Sequence, residues 1–218
     1  MTTLRTSLSA LALALFAAGA AGCRSAALDQ AAPIIQPGAP GTPSREISPE
    51  TAAGLRPPVH TTADVQFMQG MIAHHAQALE MVGLLKTRTS SDGMRKLAQR
   101  IEVSQQDEIE MMQEWLEARG ADVPGEHAHH ARGAPLMPGM LTAEDMQRLA
   151  AATGPAFDHL FLEYMIRHHE GALVMVKDLF ARPGAGQESD VHAFATDVDA
   201  DQRMEIARMA GMLKELER

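Results

Sequence analysis

A pair of adjacent histidines, His74-His75, recurs in the same sequence setting as His168-His169 in this 218-residue chain. Downstream of each pair stands a Gln-x-x-Glu, formed by Gln105 with Glu108 and by Gln202 with Glu205. Imidazole, carboxamide and carboxylate at recurring spacing are the ingredients of a metal site or of a buried hydrogen-bonded layer. Met71 and Met165 precede the two His pairs, and the chain holds 15 Met and 10 His against one Cys. Imidazole serves either oxidation state of copper, whereas thioether selects the reduced ion by softness. A secondary loop candidate follows, with His127, His129 and His130 ahead of Met137 and Met140. Histidine-rich tracts of this kind capture metal ions.

Composition removes several other chemistries. A single cysteine excludes an internal disulfide and a multi-cysteine zinc or iron–sulfur site. With 19 Lys and Arg against 28 Asp and Glu, the formal charge is −9. Such a chain repels phosphate backbones, so no nucleic-acid partner is expected. No serine elbow is present and the lone cysteine sits in the leader, so no catalytic residue is assigned.

The elements that must position these groups are helices arranged as a repeat. Phe67 to His75 matches Phe161 to His169 at one constant offset, and Ala78-Leu79 and Met81-Val82 continue the match at Ala172-Leu173 and Met175-Val176. Ile101, Gln105, Glu108, Ile109 and Met112 answer to Val198, Gln202, Glu205, Ile206 and Met209. Phe67, Met71, His74, Ala78 and Met81 form one apolar stripe at helical spacing, with His75 on the adjacent stripe. Both histidines of the pair therefore face a core. Thr61 or Thr62 is expected to cap the first helix. Breaks are expected at residues 90–93 and 182–186, and Thr142 with Asp145 starts a short extra helix. These signals predict an all-α fold, a four-helix up-down bundle built from a duplicated helical hairpin, with the short helix between the repeats. In an up-down-up-down order the first and third long helices run parallel, and both His pairs and both Gln-x-x-Glu pairs meet near mid-height. A layer whose histidines donate to the glutamates across the helices would satisfy itself; a bound metal would satisfy it equally.

The N-terminus reads as a signal peptide over residues 1–22, with Arg5 ahead of an apolar run from Leu8 to Ala21. Ala20-Ala21-Gly22-Cys23 resembles a lipoprotein cleavage box, which makes Cys23 the lipidation site and membrane anchor. Residues 23–60 read as the lipidated N-terminus and a disordered Pro/Gly/Ala/Ser linker. Residues 61–218 read as the folded domain: repeat one 61–120, the His/Met loop 121–141 and repeat two 142–218. The expected location is the cell envelope or periplasm.

From Thr61 to Leu216 the chain resembles the domain-of-unknown-function family 305 (DUF305). Phe-x-x-x-Met-Ile-x-His-His-x-x-Ala-Leu, at Phe67 through Leu79 and again at Phe161 through Leu173, carries the likeness, and the two Gln-x-x-Glu-Ile segments fit it too. The resemblance implies an exported protein with a ferritin-like helical fold and an association with copper. It implicates His74, His75, His168, His169, Met71 and Met165. The leading expectation is a copper-binding protein that buffers, stores or delivers the ion; zinc or iron would also accept the His and Glu groups. Two alternatives stay open: a ferritin-like di-metal redox enzyme, and a metal-free interaction module at the membrane surface.

Overall fold

A computed structural model describes residues 32–38, 43–56, 58–125 and 136–218. The leader, Cys23 and the loop histidines His127, His129 and His130 lie outside the described residues. The fold is mostly helical, with six helices and one two-stranded sheet among the described residues. In chain order these are β1 (Ile34–Gln36), β2 (Arg45–Ile47), α1 (Pro49–Gly54), α2 (Thr62–Arg88), α3 (Asp92–Glu117), α4 (Ala143–Ala151), α5 (Gly154–Phe180) and α6 (Ser189–Leu216). The long helices α2 and α3 pair as one hairpin, α5 and α6 as the other, and α2 packs on α5.

Local chemistry sets the helix starts. At α2, the Thr61 hydroxyl accepts from the Asp64 N–H while the Asp64 carboxylate accepts from the Thr61 N–H, a reciprocal capping box. Ser91, Thr142 and Glu188 each accept a backbone N–H at the starts of α3, α4 and α6. Such caps are worth about 1 kcal/mol each because they satisfy otherwise orphaned donors.

The apolar interior divides in two. One cluster joins Met81, Leu85, Met94, Ile101, Phe157, Phe161, Met165 and Met209. The other joins Phe67, Met71, Ile72, Met112, Leu116, Val176, Phe194 and Val198. On every long helix the residues between the clusters are the polar ones: His74 and His75, Gln105, His168 and His169, Gln202. A belt of buried polar side chains thus cuts across the core.

The helix directions correct the expected up-down-up-down order. At one end, the Gly186 N–H donates to Asp64 at the start of α2 (2.7 Å), just past the end of α5. At the other, Arg88 at the end of α2 donates to the Ala150 carbonyl just ahead of α5 (2.8 Å). So α2 and α5 are antiparallel, not parallel: α3 ends beside one apolar cluster, at Leu116, and α5 begins beside the other, at Phe157. The belt is indifferent to this reversal, since His74 and His168 both sit near the middle of their helices.

The segment expected to be an unstructured linker also differs. β1 and β2 pair antiparallel with Ile34 opposite Ile47, and Ser48 caps α1 at Pro49. Serine before a proline at the first helical position is a local start signal that needs no core. None of α1 is buried, consistent with structure held by local bonds alone. No described helix is long and apolar enough to cross a membrane.

Candidate metal centre

Four imidazoles occupy the belt, none more than 1% exposed. They are placed by helical spacing: the adjacent histidines on α2 point to different neighbours, and α5 repeats the arrangement. His75 Nε2 donates to Glu108 of α3. His169 Nε2 donates to Glu205 of α6 at 2.6 Å. The other two rings face one another, His74 and His168, with centroids 3.8 Å apart and planes tilted by 37°. Glu108 and Glu205 keep 12% and 15% of their side chains exposed, so each carboxylate reaches from a buried ring toward water.

A strap formed by residues 136–141 covers the α2–α5 side of the belt. His74 Nε2 donates to the Pro138 carbonyl at 3.0 Å. Gln77 clamps Leu141 twice, its Oε1 accepting the Leu141 N–H (2.7 Å) and its Nε2 donating to the Leu141 carbonyl (3.0 Å). Two glycines let the strap sit this low. A Cβ at Gly171 would stand 1.9 Å from the Pro138 oxygen, and Gly139, at φ +77°, lies against the Arg167 carbonyl. Any side chain at Gly171 would meet backbone, which cannot swing aside.

Burial holds His74 neutral, lowering its pKa to about 3, with the neighbouring His75 ring acting in the same direction and the Pro138 carbonyl opposing it. Burial likewise pushes His168 well below the ordinary imidazole value, reinforced by His74, His169 and His75. A proton here would be an unsolvated charge among other imidazoles.

One nitrogen of each ring has no partner: Nδ1 of His74, His75 and His169, and Nε2 of His168. Gln105 Oε1 is also buried without a partner. A buried acceptor left unsatisfied costs roughly 1–3 kcal/mol. The self-satisfied layer is therefore realised on one nitrogen of His74, His75 and His169 and unrealised on the other. The donor set fits a metal in kind: neutral imidazoles with free lone pairs in a water-poor layer. It does not form a ready-made cage. Among the described residues no three His, Cys, Asp or Glu side chains stand where they could hold one ion.

The remaining candidates fall into place around this belt. Gln202 is buried in it. Met71 and Met165 are fully buried but belong to opposite apolar clusters, so they flank the belt from either side and do not stand together. Of the loop candidates, Met140 is buried, whereas Met137 is half-buried at the edge of a cleft between α2 and α5. Sequence reasoning missed Pro138 as the partner of His74, because a backbone carbonyl leaves no residue-type signal. It also missed Ser104, whose hydroxyl donates to Glu108 at 3.2 Å, and Asp201. Burial raises the Asp201 carboxyl above its ordinary value, and the Glu108 and Glu205 carboxylates add to the shift. Asp201 directly precedes Gln202, as Ser104 precedes Gln105, and that equivalence was a readable signal.

Comparison with known proteins bears on this site. The family model described as "Domain of unknown function (DUF305)" matches residues 64–213. A DUF305 fragment from Deinococcus radiodurans is similar at 32% identity and TM-score 0.62, over 72% of this chain and 99% of that one. A DUF305 protein from Streptomyces coelicolor, inferred to be secreted, is similar at 30% identity and TM-score 0.60, over 71% of this chain and 94% of that one. CopM in its Cu(I)-bound form is similar at 26% identity and TM-score 0.53, over 70% of this chain and 96% of that one. No curated protein matches the chain.

Proposed function

The chain belongs to the DUF305 family, and from that premise we propose that it is an exported, metal-binding protein that buffers, stores or delivers copper through the polar belt. One observation carries the reading. Histidines that bind metals usually give their second N–H to a carboxylate or a backbone carbonyl, which fixes the tautomer and raises the basicity of the ligating nitrogen. Three of the four belt histidines are arranged in that manner: His75 on Glu108, His169 on Glu205, His74 on the Pro138 carbonyl. In the neutral rings this leaves Nδ1 as the lone-pair donor.

His74, His75, His168 and His169 would supply the ligands. Glu108 and Glu205 act through the rings they orient, and Gln105 and Gln202 complete the polar surroundings. Met71 and Met165 offer thioethers from either side, which favours the reduced ion. The likeness to CopM, solved with Cu(I) bound, supports copper over zinc or iron. Antiparallel α2 and α5 joined by one long crossover support the ferritin-like class, in which a single such crossover occurs. Export rests on the likeness to the Streptomyces protein and on the N-terminal signal; Cys23 would then tether the domain to a membrane surface. A di-metal redox enzyme is the weaker reading, because such sites want Glu-x-x-His on two helices and no helix here has it.

The test is an anaerobic Cu(I) titration of the protein against a competing chelator. His74→Ala with His168→Ala is expected to remove the Cu(I) equivalent held by the belt, while Ala at His127, His129 and His130 leaves it in place. Undiminished binding in the first variant, with loss in the second, would move the site to the loop. No binding by the unaltered protein would make the belt a structural device and favour the interaction module.

A further inference from the structure

Gly70 lies one turn before His74 on α2, on the face crossed by the strap. A Cβ built there would meet the Met137 sulfur at 3.2 Å and the terminal methyl of Met175 at 3.4 Å. Two thioether side chains, one from the strap and one from α5, therefore close over a position that has no side chain of its own. They line an open cleft of about 200 Å³, together with Phe67, Pro138 and Leu179.

Accessibility separates this pair from most of the other methionines. Met68, Met71, Met81, Met112, Met165 and Met209 are sealed in the core at 0–1% exposure. Met137 and Met175 are half-buried, open enough to meet an ion from solution and covered enough to strip its water. The rim holds Asp178 and Arg182, whose charges offset, so sulfur decides what is retained. Thioether is a neutral, soft ligand that binds Cu(I) and Ag(I) and has little affinity for zinc, calcium or magnesium. The cleft also adjoins the belt, because the residue after Met137 is Pro138, whose carbonyl holds His74.

We propose that Met137 and Met175 form a thioether site over Gly70 for a soft monovalent cation of the Cu(I) class, separate from the imidazole belt. The site does not depend on the belt binding metal; it rests on two thioether side chains that face one position and line one accessible cleft.

The experiment uses the full chain, Met137→Leu with Met175→Leu, and Cu(I) delivered anaerobically from a chelator. Leucine preserves the apolar packing and removes the sulfur. The expected result is the loss of one Cu(I) equivalent, or at least a tenfold weakening of it, with Zn(II) binding unchanged. Unchanged Cu(I) stoichiometry and affinity would overturn the site. Methyl-labelled methionine NMR on the unaltered sequence gives a second readout that needs no stable variant. Addition of Cu(I) is expected to shift the Met137 and Met175 methyl signals first, and shifts confined to other methionines would overturn the proposal. Repeating that titration in His74→Ala with His168→Ala separates the two readings. Shifts that persist there support the thioether site even if the belt binds nothing, and shifts that vanish make it a part of the belt.

Discussion

The α2–α3 and α5–α6 hairpins share the same inward-facing bond and differ on the outside. Each places a fully buried histidine on a glutamate of its partner helix, His75 on Glu108 and His169 on Glu205. Four residues before the first histidine of each pair, α2 has Gly70 and α5 has Tyr164. Three residues after it, α2 has Gln77 and α5 has Gly171. Those outer differences let a single strap lie across both helices: Gln77 grips it and Gly171 makes room for it. A strap with one carbonyl at this point serves one of two facing rings, so His74 gains a partner and His168 Nε2 does not. Duplicated sequence thus builds two like interiors, while the unmatched residues make the two outer faces chemically unequal. Function that depends on access should follow the unmatched residues.

The largest expected effect tests the seating of the strap. Gly171→Ala puts a methyl into the Pro138 carbonyl, which backbone cannot avoid, and should cost about 3 kcal/mol in urea unfolding. Gly70→Ala meets only the ends of two flexible side chains, so it should stay within about 1 kcal/mol of the unaltered protein. Equal costs at the two glycines would mean that the strap does not rest on α5. Next come the shared bonds. Glu108→Ala and Glu205→Ala each remove a charge-assisted partner from a buried ring, worth about 2 kcal/mol. Both carboxylates press on Asp201, so either change also relieves it and the two costs should be alike; a large difference would break the likeness of the two interiors.

Acid provides a third test, on metal-free protein. His74 binds a proton near pH 3 when folded and near 6.5 when unfolded, so between these values the unfolded state holds more protons. Stability is complete above about pH 6.5 and falls as the pH drops toward 3, by about 1.4 kcal/mol per pH unit for each such ring. His74→Asn should flatten that slope in a series of urea melts, and an unchanged slope would place the titration elsewhere. The smallest effect is at the unmatched carboxylate. Asp201 is held above its ordinary pKa when folded, so its charge destabilises the protein at neutral pH. Asp201→Ser, which copies the residue found at Ser104, should gain no more than about 0.5 kcal/mol, given the solvent screening. That gain should disappear below about pH 4, where the unfolded carboxyl is protonated too.

Much of this was legible in residue types and spacing. Periodicity placed His74 and His75 on the buried side of α2, and Thr61 and Thr142 announced their helices through cap chemistry. Counting outward from the turns put the histidines and glutamates at one height, and Glu108 and Glu205 do meet their rings there. The helix order was misread because mid-helix residues stay level whether the neighbouring helix is parallel or reversed. Distinguishing the two requires the path of the connection, and residues 118–153 give no periodic signal over most of that length. Pro138 was illegible for a different reason, since its contribution is a carbonyl that every residue possesses. Gly139 and Gly171 are the trace it left, and a glycine pair of this kind becomes meaningful only when the two backbones are known to touch.

The strap has a consequence for the order in which the protein closes. Contacts within each hairpin join residues near in sequence, whereas Gln77 and Leu141 are 64 positions apart. Bringing distant segments together carries a larger entropic cost before any contact rewards it, so non-local contacts form late. Each hairpin can therefore form by itself before the strap and the seam between α2 and α5 close, since that seam joins residues as far apart as Asp64 and Gly186. His74 and His168, which face one another across that seam, stay open to solvent until it closes. The strap, held to the bundle by a few bonds, is expected to exchange its amide hydrogens before the long helices do once the native state has formed.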